Sequence, residues 1–139
     1  MKWLFSFLAF GSMLIFVAPS ASAQIDEDLL VGQVEFRVSC ASCHGLDGKG
    51  KGPVALFLTT KPADLTLLAA GNNGAFPHQT IFEILDGRAD KGVHGDTAMP
   101  VWGARYLQEF EMFGGDQDDS ALVEARITRL VNYLETIQE

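Results

Sequence analysis

Cys40-Ala41-Ser42-Cys43-His44 is the stretch on which the reading of this chain turns. Two cysteines separated by two residues and followed at once by histidine are the attachment pattern for a c-type haem. The spacing has a chemical reason. Each thiol must reach one vinyl group of the same porphyrin, and the next side chain must fall beneath the iron. Thioethers at Cys40 and Cys43 leave His44 as the natural proximal ligand, bound through one ring nitrogen while the other donates a hydrogen bond. Three other chemistries use the same residues. A disulfide between Cys40 and Cys43 suits an exported chain. A zinc site with His44, His78 or His94 lacks the second cysteine pair or spaced histidines that such sites need, since the chain has only 2 cysteines. A thioredoxin-like redox pair wants a βαβ context, which is missing here. One haem c, held by two thioethers, is the expectation.

Upstream of the motif the sequence changes character. Lys2 is a minimal positive start, Trp3 to Ala18 is largely apolar, and Ala21-Ser22-Ala23 has the small-x-small form of an export cleavage site. The apolar run is short of the ~20 residues that span a bilayer. Residues 1–23 therefore read as a cleaved signal peptide and residues 24–139 as one domain, with no stable membrane insertion after cleavage. The charge balance is acidic, 10 Lys+Arg against 18 Asp+Glu. Such a surface repels phosphate backbones, so no nucleic-acid partner is expected. The bases are unevenly placed: Lys49, Lys51, Lys61, Arg88 and Lys91 lie in the middle, whereas 109–124 is acid-rich.

The apolar pattern is helical throughout, with no strand-like alternation. Leu29, Leu30, Val34, Phe36 and Val38 predict a helix from about Glu27 to Ser39, with Asp26, Glu27 and Asp28 at its favourable N-terminal end. Gly32 inside it costs about 1 kcal/mol against alanine, which asks for close approach by another element. The run Gly45 to Pro53 nearly forms a phosphate loop. Gly52 stands where a Ser or Thr should hold magnesium, however, and no buried strand precedes it. A glycine-rich loop packed against a flat macrocycle fits better, with the carbonyl of Pro53 or a neighbour accepting from His44. Lys61 to Thr66 predicts a turn into a short helix through Ala70, broken by Gly71 to Gly74. A further helix opens at Pro77, buries Ile81, Phe82, Ile84 and Leu85, and stops at Gly87. His78, at its start, reads as a surface or capping residue.

Ala98-Met99-Pro100-Val101-Trp102-Gly103 then presents Met99 on a loop ahead of a helix-stopping proline. Its thioether is the candidate sixth ligand, a soft neutral donor that raises haem potential. His94 is the main rival and Met112 a weaker one. Trp102 has two readings: a wall of the pocket that lends its indole N–H to a propionate, or a side chain simply buried in the core. One or two helical turns are expected over 104–113 and a solvated acidic break over 114–119. A last helix from Asp119 or Ser120 to Ile137 follows, with Leu122, Val123, Ile127, Leu130, Val131, Leu134 and Ile137 on its buried face. The acidic break lacks the spacing of an EF-hand loop.

On these residues the chain resembles a class I monohaem c-type cytochrome of bacteria over essentially all of 24–139. The Cys-x-x-Cys-His motif is the specific part; the Gly52-Pro53 and Ala98-Met99-Pro100 segments follow in the family's order. Gly32 and Phe36 stand eight and four residues before Cys40, where the family has the glycine and aromatic of its first helix. Leu130 and Tyr133 match the last-helix pair that packs across them. The resemblance implies an all-α cytochrome c fold: short helices and loops around one covalent haem, with crossing N- and C-terminal helices. It implies covalent attachment at Cys40 and Cys43, iron ligation by His44 and Met99, and Pro53 orienting His44. This chain departs from the lysine-rich mitochondrial branch, and 107–118 looks like an insertion.

The function so implied is not enzymatic: a monomeric, periplasmic one-electron carrier meeting redox partner proteins transiently. The alternatives are a haem subunit held in a larger dehydrogenase or oxidase, and a haem enzyme or sensor with an exchangeable sixth ligand.

Overall fold

The computed structural model describes residues 21–87, 99–115 and 119–139, and in the first helix the side chains from Glu27 onward. Residues 1–20, the bulk of the expected signal peptide, lie outside them. Every regular element described is helical. Five α-helices are α1 (Ala21–Glu35), α2 (Ala41–His44), α3 (His78–Asp86), α4 (Trp102–Met112) and α5 (Ser120–Thr136); short 3-10 turns cover Pro53–Phe57, Leu65–Leu67 and Ala70–Asn72. The all-α expectation holds. Among the described residues, no helix is long and apolar enough to cross a membrane.

The first helix differs from its sequence prediction at both ends. It is already helical at Ala21, the first described residue, so Asp26, Glu27 and Asp28 sit inside it rather than at its N-terminus, and Asp28 instead pairs with Arg129 of α5 at 2.7 Å. It also does not stop at Ser39. A five-residue π-type turn, Phe36–Cys40, joins α1 directly to α2, so the helical path runs on through the motif. Such wide turns are rare and gather at functional sites.

Gly32 explains how α1 and α5 meet. A Cβ built there would stand 2.1 Å from the Arg129 carbonyl oxygen and 2.9 Å from Tyr133 Cβ, so only glycine permits this backbone approach. One turn on, Phe36 is fully buried and its ring lies 5.5 Å from that of Tyr133. The core continues along α5 through Val123, Ile127, Leu130, Val131 and Leu134, and receives Ile81 and Leu85 from α3 and Trp102 and Tyr106 from α4. Leu122, expected on this face, is half exposed.

Elsewhere the pattern holds with shifts of a residue or two. Pro77 stands just before α3 rather than in its first turn, and Gly87 ends the helix in the left-handed region at φ 91°. Asp64 organises the 3-10 turn after it by accepting hydrogen bonds from the backbone N–H of Thr66 at 2.9 Å and from its hydroxyl at 2.6 Å. α4 is longer than expected, running three turns from Trp102, because Tyr106 supplies a buried anchor one turn in.

Replacing Gly32 by alanine is expected to destabilise the protein near the upper end of the ~1–3 kcal/mol that overpacking costs. That loss outweighs the about 1 kcal/mol that alanine gains as a helix former. Chemical denaturation of the two proteins side by side measures the difference.

Candidate cofactor site

Because the helical path continues through the motif, Cys40, Cys43 and His44 fall at i, i+3 and i+4 and share a face. All three line one cavity of about 510 Å³. Cofactor pockets fall in this size range and are mostly apolar. Here Leu65 and Leu68 from the 3-10 segment, Ile81, Ile84 and Leu85 from α3, and Leu134 from α5 supply the apolar wall. Met99, Pro100 and Trp102 complete it. Of the six residues predicted to hold a cofactor, five therefore meet at one cavity.

The sixth does not. Pro53 is exposed, opens the 3-10 turn Pro53–Phe57, and lines no part of the cavity. The acceptor for His44 is the Ala63 carbonyl, 2.9 Å from Nδ1. The glycine-rich loop also does not pack against the cavity. Its amides finish the motif helix instead: Gly50 N–H donates to the His44 carbonyl at 2.7 Å and Gly52 N–H to the Cys43 carbonyl at 3.0 Å. Helix ends leave such carbonyls without intrahelical partners. Gly50, at φ 74°, also passes so close to the Pro62 carbonyl that a Cβ would stand 2.4 Å from it. That contact seats Pro62 and Ala63 beside His44.

The state of His44 follows from this geometry. A carbonyl can only accept, so Nδ1 carries the proton and Nε2 keeps its lone pair, the form in which imidazole binds a metal. Burial lowers the His44 pKa, partly offset by the Ala63 hydrogen bond, so the ring is held neutral. Both cysteines are free, Cys40 buried and Cys43 half-buried. Burial, with the nearby Glu35 carboxylate and Cys43, pushes the Cys40 thiol up to about 12. Cys40 as placed therefore holds its proton, as a thiol rather than a thiolate.

Met99 is half-buried at the cavity. Its rival His94 lies outside the described residues. Met112 is 69% exposed at the end of α4, away from the cavity lining. His78 is on the surface, paired with Glu135 at 3.0 Å, and does not line the cavity. Among the described residues, Trp102 Nε1 is a buried polar atom without a hydrogen-bond partner. A group of haem's chemistry fits this set: two thiols on one face, a neutral imidazole, a thioether, and an orphaned N–H for an anionic oxygen. Of the bases in the middle of the sequence, Lys61 lines the cavity and Lys49 pairs with Glu139.

Comparison with protein-family models, with curated proteins and with solved structures finds no match to this chain.

Sequence reasoning missed a buried polar cluster behind the motif. Glu35, the last residue of α1, is 8% exposed. One carboxylate oxygen accepts from the Tyr106 hydroxyl at 2.7 Å and from the Ser39 hydroxyl; the other accepts from Arg126 Nε at 2.7 Å. Arg126 Nη1 reaches Glu109 at 2.8 Å. The signal was a lone acid between Gly32 and Phe36 and a lone arginine among Val123, Ile127 and Leu130, each on a face that reads as core.

Burial alone raises the Glu35 pKa, but hydrogen bonds from Arg126, Ser39 and Tyr106 and the Arg126 charge more than offset it, leaving the value lowered. The unfolded chain thus takes up this proton at higher pH than the folded one, so the stability Glu35 contributes is complete above the ordinary carboxylate range. It is lost as pH falls through the folded value. Denaturation midpoints followed from pH 7 downward are expected to drop less steeply in Glu35→Gln than in the wild type.

Proposed function

We propose that this chain is a class I monohaem c-type cytochrome that carries one electron at a time between partner proteins. The single observation that carries the reading is the convergence of Cys40, Cys43, His44 and Met99 on one cavity whose wall includes the unpartnered Trp102 indole. The finer assignment within the all-α class rests on the contact of α1 and α5 at Gly32, Phe36 and Tyr133, which is the helix pairing the resemblance implies.

In this reading Cys40 and Cys43 would hold haem c by two thioethers, and His44 and Met99 would ligate its iron. The bound group supplies an iron that alternates between Fe(II) and Fe(III). The chain does the rest. Ala63 fixes the His44 ring and its tautomer, and raises the basicity of Nε2 through the Nδ1 hydrogen bond. Met99 favours the reduced state, since a neutral thioether stabilises Fe(II). The apolar wall keeps water from the centre. Trp102 Nε1 offers its hydrogen to a propionate, which relieves an otherwise costly buried donor.

With His44 and Met99 both given to the iron, the protein would leave no position for a substrate, which favours transfer over catalysis. Residues 1–23 then serve export to the periplasm and are removed. Partners dock briefly through a small interface, as suits fast release. An acidic chain excludes nucleic acid from those partners.

The exported protein is expected to be coloured, with a mass above the bare polypeptide by one haem that denaturation does not release. Cys43→Ser is expected to remove one thioether, and Met99→Ala to convert the oxidised protein from low to high spin. A colourless product of polypeptide mass sinks the proposal.

A further inference from the structure

The helix that begins three residues after Met99 is held by a carboxylate that belongs to a different part of the chain. Tyr106, one turn into α4, is fully buried, and its hydroxyl donates to Glu35 on α1 at 2.7 Å. Burial and the neighbouring carboxylate raise the tyrosine pKa, so it remains a donor across the physiological range. Arg126 of α5 holds the other Glu35 oxygen, lies 3.9 Å from the centre of the Tyr106 ring, and reaches Glu109 of α4. α4 is thus gripped at Tyr106 and again at Glu109, by groups anchored on α1 and α5. Trp102, 5.7 Å from the Tyr106 ring, extends that seat to the cavity wall.

Apolar packing at this place would cost less than burying a carboxylate. What charge-assisted hydrogen bonds add is direction, because they fix where one helix stands along and around its axis. We propose that Glu35 is a positioning residue for Met99, acting through Tyr106 to hold the start of α4 so that the thioether stays in the cavity where it would ligate the iron. This rests on the haem reading above. Loss of the Glu35–Tyr106 bond then leaves the cavity and both cysteines intact but lets the thioether leave more often.

The test uses exported, oxidised holoprotein in four forms: wild type, Tyr106→Phe, Glu35→Gln and Asp28→Asn. Two readouts serve, the optical absorption of the methionine–iron bond and the rate at which added cyanide binds. Tyr106→Phe and Glu35→Gln are expected to weaken that absorption. Both should speed cyanide binding by about tenfold or more, the scale of one hydrogen bond to a charged group. Asp28→Asn breaks another α1–α5 tie, the 2.7 Å pair with Arg129, without touching α4. It should change the rate by no more than about twofold, as befits a half-exposed ion pair.

Equal acceleration in Asp28→Asn shows a general loosening and overturns the proposal, as does an unchanged rate in the first two variants. Should Tyr106→Phe not accumulate as holoprotein, Glu35→Gln decides alone. A wild type that carries haem but lacks the methionine–iron absorption removes Met99 from the site, and the proposal with it. A wild type without haem overturns the functional reading itself, so the three failures are told apart in one series.

Discussion

The tightest constraint among the described residues is the backbone approach of α1 to α5 at Gly32. No side chain separates the two helices there, so Arg129 and Tyr133 sit directly against α1. Much of the rest follows from that contact. It places Phe36 on Tyr133, and the π-type turn after Glu35 then directs Cys40, Cys43 and His44 toward the cavity. It also sets the far end of α5 so that Leu134 forms part of the cavity wall. One missing side chain on α1 thus orders both the helix that carries the motif and the helix that backs it.

The features legible in the sequence were those governed by local rules. Apolar periodicity located α3 and α5 to within a residue or two, Gly87 marked a helix end, and the glycine at 32 announced a close neighbour before the neighbour was known. Cys40, Cys43 and His44 were readable from their spacing, and Met99 and Trp102 from the proline-bounded loop that carries them. What stayed hidden depended on contacts between distant segments. Ala63 holds His44 across nineteen positions, and only its carbonyl is used, so residue type carries no signal there. The continuation of the first helix through Cys40 was equally silent, because Gly45 to Gly52 cap it by backbone amides rather than by a side chain.

Charge is distributed in two different ways. The carboxylates described are otherwise exposed or half-exposed. Among the described residues Glu35 is the buried one, surrounded by Arg126, Tyr106 and Ser39 so that it stays ionised. The hydroxyls and guanidinium that keep it charged come from three separate elements, so its ionisation is also a measure of whether those elements are assembled. His44 shows the opposite arrangement, a group kept neutral by burial with one directional partner.

The ties between the 3-10 segment and the residues after α5 bear on how the cavity wall is held. Gln138 accepts from Ala69 N–H at 2.9 Å and donates to the Leu65 carbonyl at 2.8 Å, while Glu139 N–H donates to the Thr66 carbonyl at 2.9 Å. These bonds brace a stretch that lines the cavity, yet they join positions more than seventy residues apart in synthesis order for the Gln138–Leu65 pair. The same stretch also has a nearer tie, Leu65 N–H to the Gly48 carbonyl at 2.8 Å. The nearer tie sets the course of the segment, and the distant ones lock that wall of the cavity to the end of α5, where Gln138 also donates to the Leu134 carbonyl at 2.7 Å.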